Sequence, residues 1–247
     1  MFKRWSLLMV LAALLCIVIP ADAGWIMFEQ NGDKTSISNG RLKGTSEGVS
    51  WIFNSSKKEM IFIHDEQNIY WRGTIDDYCS NSAKMMEQMM KGMPEDQRKM
   101  MEQMMAKGNQ SPGHKVTVAR DGNGETIVGF KTTKYRVMVD DELFEEVWLT
   151  TDASIMKAYK PLIPMIQKFN SCLGSMGVEF TPEKSAEYQK LWKTGFQLKS
   201  IRYEYGNPEI ETDVVKMKKA NISDQEFEVP AGYQHRSFAE FMKSQLE

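Results

Sequence analysis

The chain has 247 residues, with 31 Lys and Arg against 33 Asp and Glu and a formal net charge of −2. That balance offers no basic stripe of the kind a nucleic acid partner requires. With 42% hydrophobic residues, one domain with a sizeable core is expected, and the 19 methionines set the chain apart.

Residues 1–23 read as a secretory signal peptide. Lys3 and Arg4 make a short basic start, Leu7 to Ile19 is an apolar run, Pro20 breaks it, and Ala21-Asp22-Ala23 is a cleavage site before Gly24. As a helix the apolar run spans about 20 Å, short of the roughly 30 Å hydrocarbon core. Cys16 is filler within it. Cleavage leaves residues 24–247 as a single domain in the periplasm, with no further transmembrane segment expected. Two cysteines remain, Cys79 and Cys172. Two thiols in an oxidising compartment read as one disulfide.

Trp25 to Gln30 is a short apolar strand ended by the Asn31-Gly32 turn. Lys34 to Arg41 alternates weakly. Gly48 to Phe53 and Glu59 to His64 flank a polar turn as a hairpin, and Gln67 to Gly73 follows. At Thr74 the period changes. Asp76 or Asp77 caps a helix that reaches Lys91, and Gly92 ends it. Pro94 opens a second helix at its first position, running to about Ala106. Residues 76–107 are therefore a helical hairpin insertion.

His114 to Arg120, Glu125 to Thr132, Thr133 to Asp140 and Leu143 to Thr150 read as strands, with Asp121-Gly-Asn-Gly124 as a hairpin turn. Residues 152–173 are helical, interrupted at Pro161 and Pro164. Another helix follows Thr181-Pro182. Two long strands, Phe196 to Tyr205 and Ile210 to Ala220, turn at Asn207-Pro208, with a bulge near Ser200. A short amphipathic helix carries Phe238, Phe241 and Met242. About ten antiparallel strands with inserted helices predict an α+β fold: a curved sheet, incompletely closed as a barrel, with the helices covering its mouth.

The segments WIFNSSKKEMIFI, IYWRGTIDDYC, TTKYRVMVDDELFEEVWLT and FEVPAGY together resemble a bacterial secreted family, domain of unknown function 4412. The resemblance covers roughly residues 24 to 240. It implies a fold similar to the periplasmic lipoprotein carriers LolA and LolB, with an apolar interior under helices. It implies no substrate and no functional residues. The methionine-rich hairpin and the cysteine pair depart from the pattern of those carriers.

Nine methionines fall between residues 84 and 108, and the hexapeptide MMEQMM occurs twice. On a helix each hexapeptide groups its methionines within an arc of about 140° and sets Glu87, Gln88, Glu102 and Gln103 opposite. The break at 92–94 lets the two methionine faces fold together. Three readings compete. The faces are core, since methionine fills irregular space. Or Met85, Met86, Met89, Met90, Met93, Met100, Met101, Met104 and Met105 form a lid over an apolar cavity. Or thioethers one turn apart, such as Met85 with Met89, ligate Cu(I).

His64, His114 and His235 are not at ligand spacing, and no G-x-S-x-G, H-E-x-x-H or calcium-loop pattern occurs. The acidic pairs Asp76-Asp77, Asp140-Asp141 and Glu145-Glu146 read as solvated. The expectation is a non-enzymatic binding protein or carrier for an apolar ligand, a lipid or an acylated protein segment, without cofactor or metal. Trp51, Phe53, Phe62, Tyr70, Tyr135 and Trp148 are the candidates for its wall. The alternatives are a Cu(I)-handling protein or a module that docks on another envelope protein.

Overall fold

A computed structural model describes residues 24–110, 114–173, 182–204 and 206–245, with the backbone alone for 103–110. The expected signal peptide, residues 1–23, lies outside the described residues. Two meanders build the sheet. The first is β1 (Gly24–Glu29), β2 (Lys34–Ser38), β3 (Arg41–Ser46), β4 (Val49–Asn54), β5 (Glu59–His64) and β6 (Ile69–Gly73). The second is β7 (Val116–Ile127), β8 (Phe130–Val139), β9 (Glu142–Thr150), β10 (Phe196–Glu204) and β11 (Asn207–Ala220). β1 pairs antiparallel with β11, from Gly24 opposite Ala220 to Glu29 opposite Val214, and joins the two meanders. A two-residue strand, β12 (Gln234–His235), adds in parallel to β6. The result is an α+β fold with a single 12-stranded, mostly antiparallel sheet that does not close; β12 and β7 are its edges.

Tight turns set the registers. Asn39-Gly40 (φ 49° and 68°) and Asp140-Asp141 (φ 51° and 67°) are left-handed at both central positions. Such turns match the twist of paired strands. The expected turn at Asp121 to Gly124 is not one: these residues lie inside β7, and the hairpin turns at Val128-Gly129 instead (φ 42° and 88°). The glycines there serve a bulged strand. The β7–β8 register shifts on both sides of Asn123, and Asp121 faces Arg136 at 2.8 Å across the pair. The bulge expected near Ser200 is present, as a register shift between Ser200 and Ile201. Likewise Asn207 and Pro208 do not turn but belong to β11, opposite Glu204 and Tyr203.

Six α-helices decorate the sheet: α1 (Ile75–Gly92), α2 (Glu95–Gln110), α3 (Ala153–Tyr159), α4 (Ile163–Leu173), α5 (Ala186–Thr194) and α6 (Phe238–Ser244), counted among the described residues. α1 begins with a reciprocal cap: Thr74 accepts from the Asp77 amide, and the Asp77 carboxylate accepts from the Thr74 amide. Pro94 is not the first residue of α2 but its cap, since its carbonyl accepts from the Arg98 amide at 2.9 Å. Pro161 falls in a 3-10 turn, Lys160–Leu162, between α3 and α4. A proline in a helix interior removes a backbone donor, which is why the helix breaks there.

The sheet is covered on both faces. The inner face carries Trp25, Met27, Ile37, Phe53, Met60, Trp71, Leu198 and Val214, and receives Ile155, Tyr159 and Leu162 from α3 and the turn after it. On the opposite face, α5 lays Tyr188 and Leu191 on Val116, Val137, Val147 and Leu149. At the other end of that face, Phe227 packs on Ile52, Ile61 and Ile63.

Glu145 corrects the reading of its acidic pair as solvated. It is 1% exposed, beneath α5. The Tyr188 hydroxyl donates to its carboxylate at 2.6 Å, and burial pushes its pKa up to about 7. Arg202 lies beside it, paired with Glu183 at 2.8 Å and Glu211 at 3.0 Å.

Candidate apolar binding site

Strand pairing assembles an aromatic row on the inner face. Trp51 of β4 lies opposite Phe62 of β5, which lies opposite Trp71 of β6. Phe62 and Trp71 stack, with ring centroids 6.1 Å apart. The row begins at Gly44 of β3, paired with Trp51, where only a glycine leaves room: a β-carbon there would stand 2.2 Å from the Trp51 ring. Helices close over the row. Tyr78 of α1 is 5.7 Å from Phe62 and 5.2 Å from Phe169 of α4. Phe238 of α6 is 5.2 Å from Trp71, and Phe241 is 6.3 Å from Phe62. Edge-on and tilted aromatic pairs of this kind add to the stabilisation from burial alone. The whole forms a trough floored by β4–β6 and walled by α1 and α4, with α6 seated in it.

Of the six expected wall residues, four share this inner face: Trp51, Phe53, Phe62 and Trp148. Phe53 meets Phe169 at 5.4 Å. Trp148 sits further along, between the ammonium groups of Lys134 and Lys199 at 4.9 and 5.1 Å. The other two lie elsewhere. Tyr70 belongs to the opposite face with Ile52 and Phe227, and Tyr135 packs with Val137 and Val147 near α5. Side chains alternate along a strand, so Tyr70 must oppose its neighbour Trp71. Sequence reasoning missed Trp71, Tyr78, Phe169, Phe238 and Phe241 as the centre of the trough. A local signal for part of it was the i, i+3, i+4 spacing of Phe238, Phe241 and Met242.

The methionine stripe starts at the trough. Ile75, Tyr78, Ser82 and Met85 lie on the inner side of α1, and Met85 packs against the core. Beyond it, Met86, Met90, Met93 and Met101 are half-buried, while Met89 and Met100 are 51% and 64% exposed. The side chains of Met104 and Met105 lie outside the described residues. The expected folding together of two methionine faces falls in part outside the described residues. Among the described residues, α2 packs extensively on neither α1 nor any other element. The polar side is satisfied along each helix, by Glu87 with Lys91 at 2.5 Å and Glu95 with Lys99 at 2.6 Å. The root of the insertion is fastened. A disulfide joins Cys79 of α1 to Cys172 of α4, and Asp76 pairs with Lys168 one turn away at 2.6 Å.

Two clefts open on the surface, the first beside this assembly and the second away from it. One, of about 430 Å³, lies among Lys58, Ile75, Pro161, Met165 and Lys168. The other, of about 470 Å³, is basic, with Lys157, Lys160 and Lys193 on its walls. His64, His114 and His235 stand apart on β5, before β7 and on β12, and His114 meets Asp140 at 2.5 Å. No group of three or more His, Cys, Asp or Glu among the described residues is arranged to hold a metal ion.

An open antiparallel sheet with an aromatic inner face, covered by helices and prolonged by a protruding methionine stripe, defines the class of this domain. The family model for a domain of unknown function (DUF4412) matches residues 53–233, and the chain belongs to that family. The match runs from Phe53 in β4 to Tyr233, just short of β12 and α6. A comparison with curated proteins gives no match.

Proposed function

We propose that this protein is a non-enzymatic carrier of the cell envelope, exported by its first 23 residues, that holds an acyl chain or a similarly apolar ligand against the inner face of a LolA-like sheet. The observation that carries this reading is the continuity of the aromatic trough with the methionine stripe of α1. Thioether side chains are unbranched and adaptable, which suits them to ligands of variable length and shape. A contiguous apolar face on a monomeric soluble protein is seldom left bare, and ordinarily marks a surface that something covers. The trough needs no permanent hollow for this purpose, because Phe238 and Phe241, which fill it, come from the short helix α6.

Native mass spectrometry of the protein purified from its own host, followed by lipid extraction, tests the reading. A bound acyl species near one per chain is expected. Replacing Met89 and Met100 by Glu lowers that load by about tenfold, with little change in stability because both positions are exposed. A bare protein, or a variant that keeps its full load, overturns the proposal. An exposed thioether one turn from a half-buried one, Met89 beside Met85, favours Cu(I) as a second reading. Titration with Cu(I) decides that reading: retention by the Met-to-Glu variant at wild-type affinity removes it.

A further inference from the structure

α6 has the character of a tenant in the trough. It presents Phe238, Phe241 and Met242, spaced i, i+3 and i+4, and buries both phenylalanines. Phe238 also meets Tyr78 at 5.3 Å. The polar bonds that fix it are few. Ahead of the helix, the Gln234 amide donates to the Asn68 carbonyl and the Arg236 amide to the Tyr70 carbonyl, each at 2.9 Å. At its end, the Gln67 side chain donates to the Ser244 carbonyl at 3.1 Å. Its N-terminus is satisfied internally by the reciprocal cap of Ser237 and Glu240. The helix can therefore leave without stranding a buried polar group on either side, the cost that ordinarily holds an element in place. What it uncovers is apolar: Phe62, Trp71 and the Tyr78 ring, whose hydroxyl bonds Ser82. The region matched to the family ends at Tyr233, so the tenant stands outside it.

We infer that α6 is a built-in plug of the ligand site, and that an acyl chain entering the trough displaces it. The inference rests on the carrier reading for its ligand but not for the plug itself. The shape of the track argues for a chain. Tyr78, Ser82, Met85 and Met89 follow one another on one side of α1, about 16 Å at 1.5 Å per residue. Along this side of α1 the row is apolar apart from the Tyr78 and Ser82 hydroxyls. Binding then carries a conformational tax: the apparent affinity equals the intrinsic affinity reduced by the fraction of molecules with α6 undocked.

The test uses the full chain, a chain ended after Arg236 that keeps β12, and a labelled peptide of residues 237–247. The shortened chain is expected to fold, to bind the peptide, and to bind it at least about tenfold more tightly than the full chain does. A peptide with Phe241→Ala should lose that binding. Hydrogen exchange on the full chain should show the Phe241 and Gln245 amides exchanging about a hundredfold faster than those of β1, through local opening. A shortened chain that cannot fold, or folds and ignores the peptide, overturns the plug, as does exchange of α6 in step with β1. Dodecanoate below its micellar concentration then addresses the ligand. Displacement of the bound peptide supports both proposals. Peptide binding that dodecanoate leaves untouched removes the acyl ligand while the plug stands. Dodecanoate binding to a chain that never binds the peptide removes the plug while the carrier stands.

Discussion

Replacing Glu145 by Gln should make the protein more stable, and only at higher pH. In the unfolded chain this carboxyl ionises near 4.5; in the fold, burial raises its pKa to about 7. Between those values the folded chain keeps a proton that the unfolded chain has released. Stability from this group is therefore fully present below 4.5, falls as the pH rises, and levels off above about 7. The difference corresponds to about 3 kcal/mol at pH 8, an order of magnitude set by burial and already softened by Tyr188 and Arg202. Glutamine fits the same space, accepts the same hydrogen bond from Tyr188, and never ionises. Urea unfolding of both proteins at pH 4.5, 6 and 8 should give curves that coincide at the lowest pH and separate by about 3 kcal/mol at the highest, or about 10 °C in Tm for a domain of this size. A gap that is constant across the range would refute the reasoning, because it would mean that Glu145 ionises in the fold much as it does in water.

Replacing Cys79 and Cys172 together by Ala opens a loop whose ends are 93 residues apart, and should lower stability by roughly 4 kcal/mol. Hydrogen exchange should show the loss of protection concentrated in α1; a loss spread evenly over the sheet contradicts the role given to the bond at the root of the hairpin. Gly44→Ala forces the Trp51 ring away from β3 and should cost about 1 to 3 kcal/mol, read by urea unfolding together with a shift in tryptophan emission. Unchanged emission and stability would mean that the ring does not rest on that glycine.

The hairpins of the first meander were readable because local chemistry and global pairing agree there: alternating aromatic and β-branched residues meet at Asn, Asp and Gly turns. The bulge at Ser200 was readable for a similar reason. Leu198 and Ile201 both pack on the inner face, and residues three apart in a regular strand cannot do so. Asp121 to Gly124 misled because glycine marks turns and bulges alike, while the real turn opens on Val128, a β-branched residue seldom found at positive φ. The inward side of Tyr70-Trp71 was undecidable because helices and loops cover both faces, so each parity is apolar. The trough depends on contacts such as Phe62 with Phe241, far apart in the chain, which leave no local trace. The burial of Glu145 has the same origin, since its partner Tyr188 stands on a separate helix.

The seam between β1 and β11 has a consequence for how the molecule comes into being. Synthesis delivers the first meander early, yet the outer edge of β1 has no mate until residues 207–220 emerge near the end. For most of that interval a row of amides and carbonyls lies open to any passing strand, the circumstance in which nascent chains stick to one another. Escort by a holding chaperone would matter most in that window, and ageing in the finished state least.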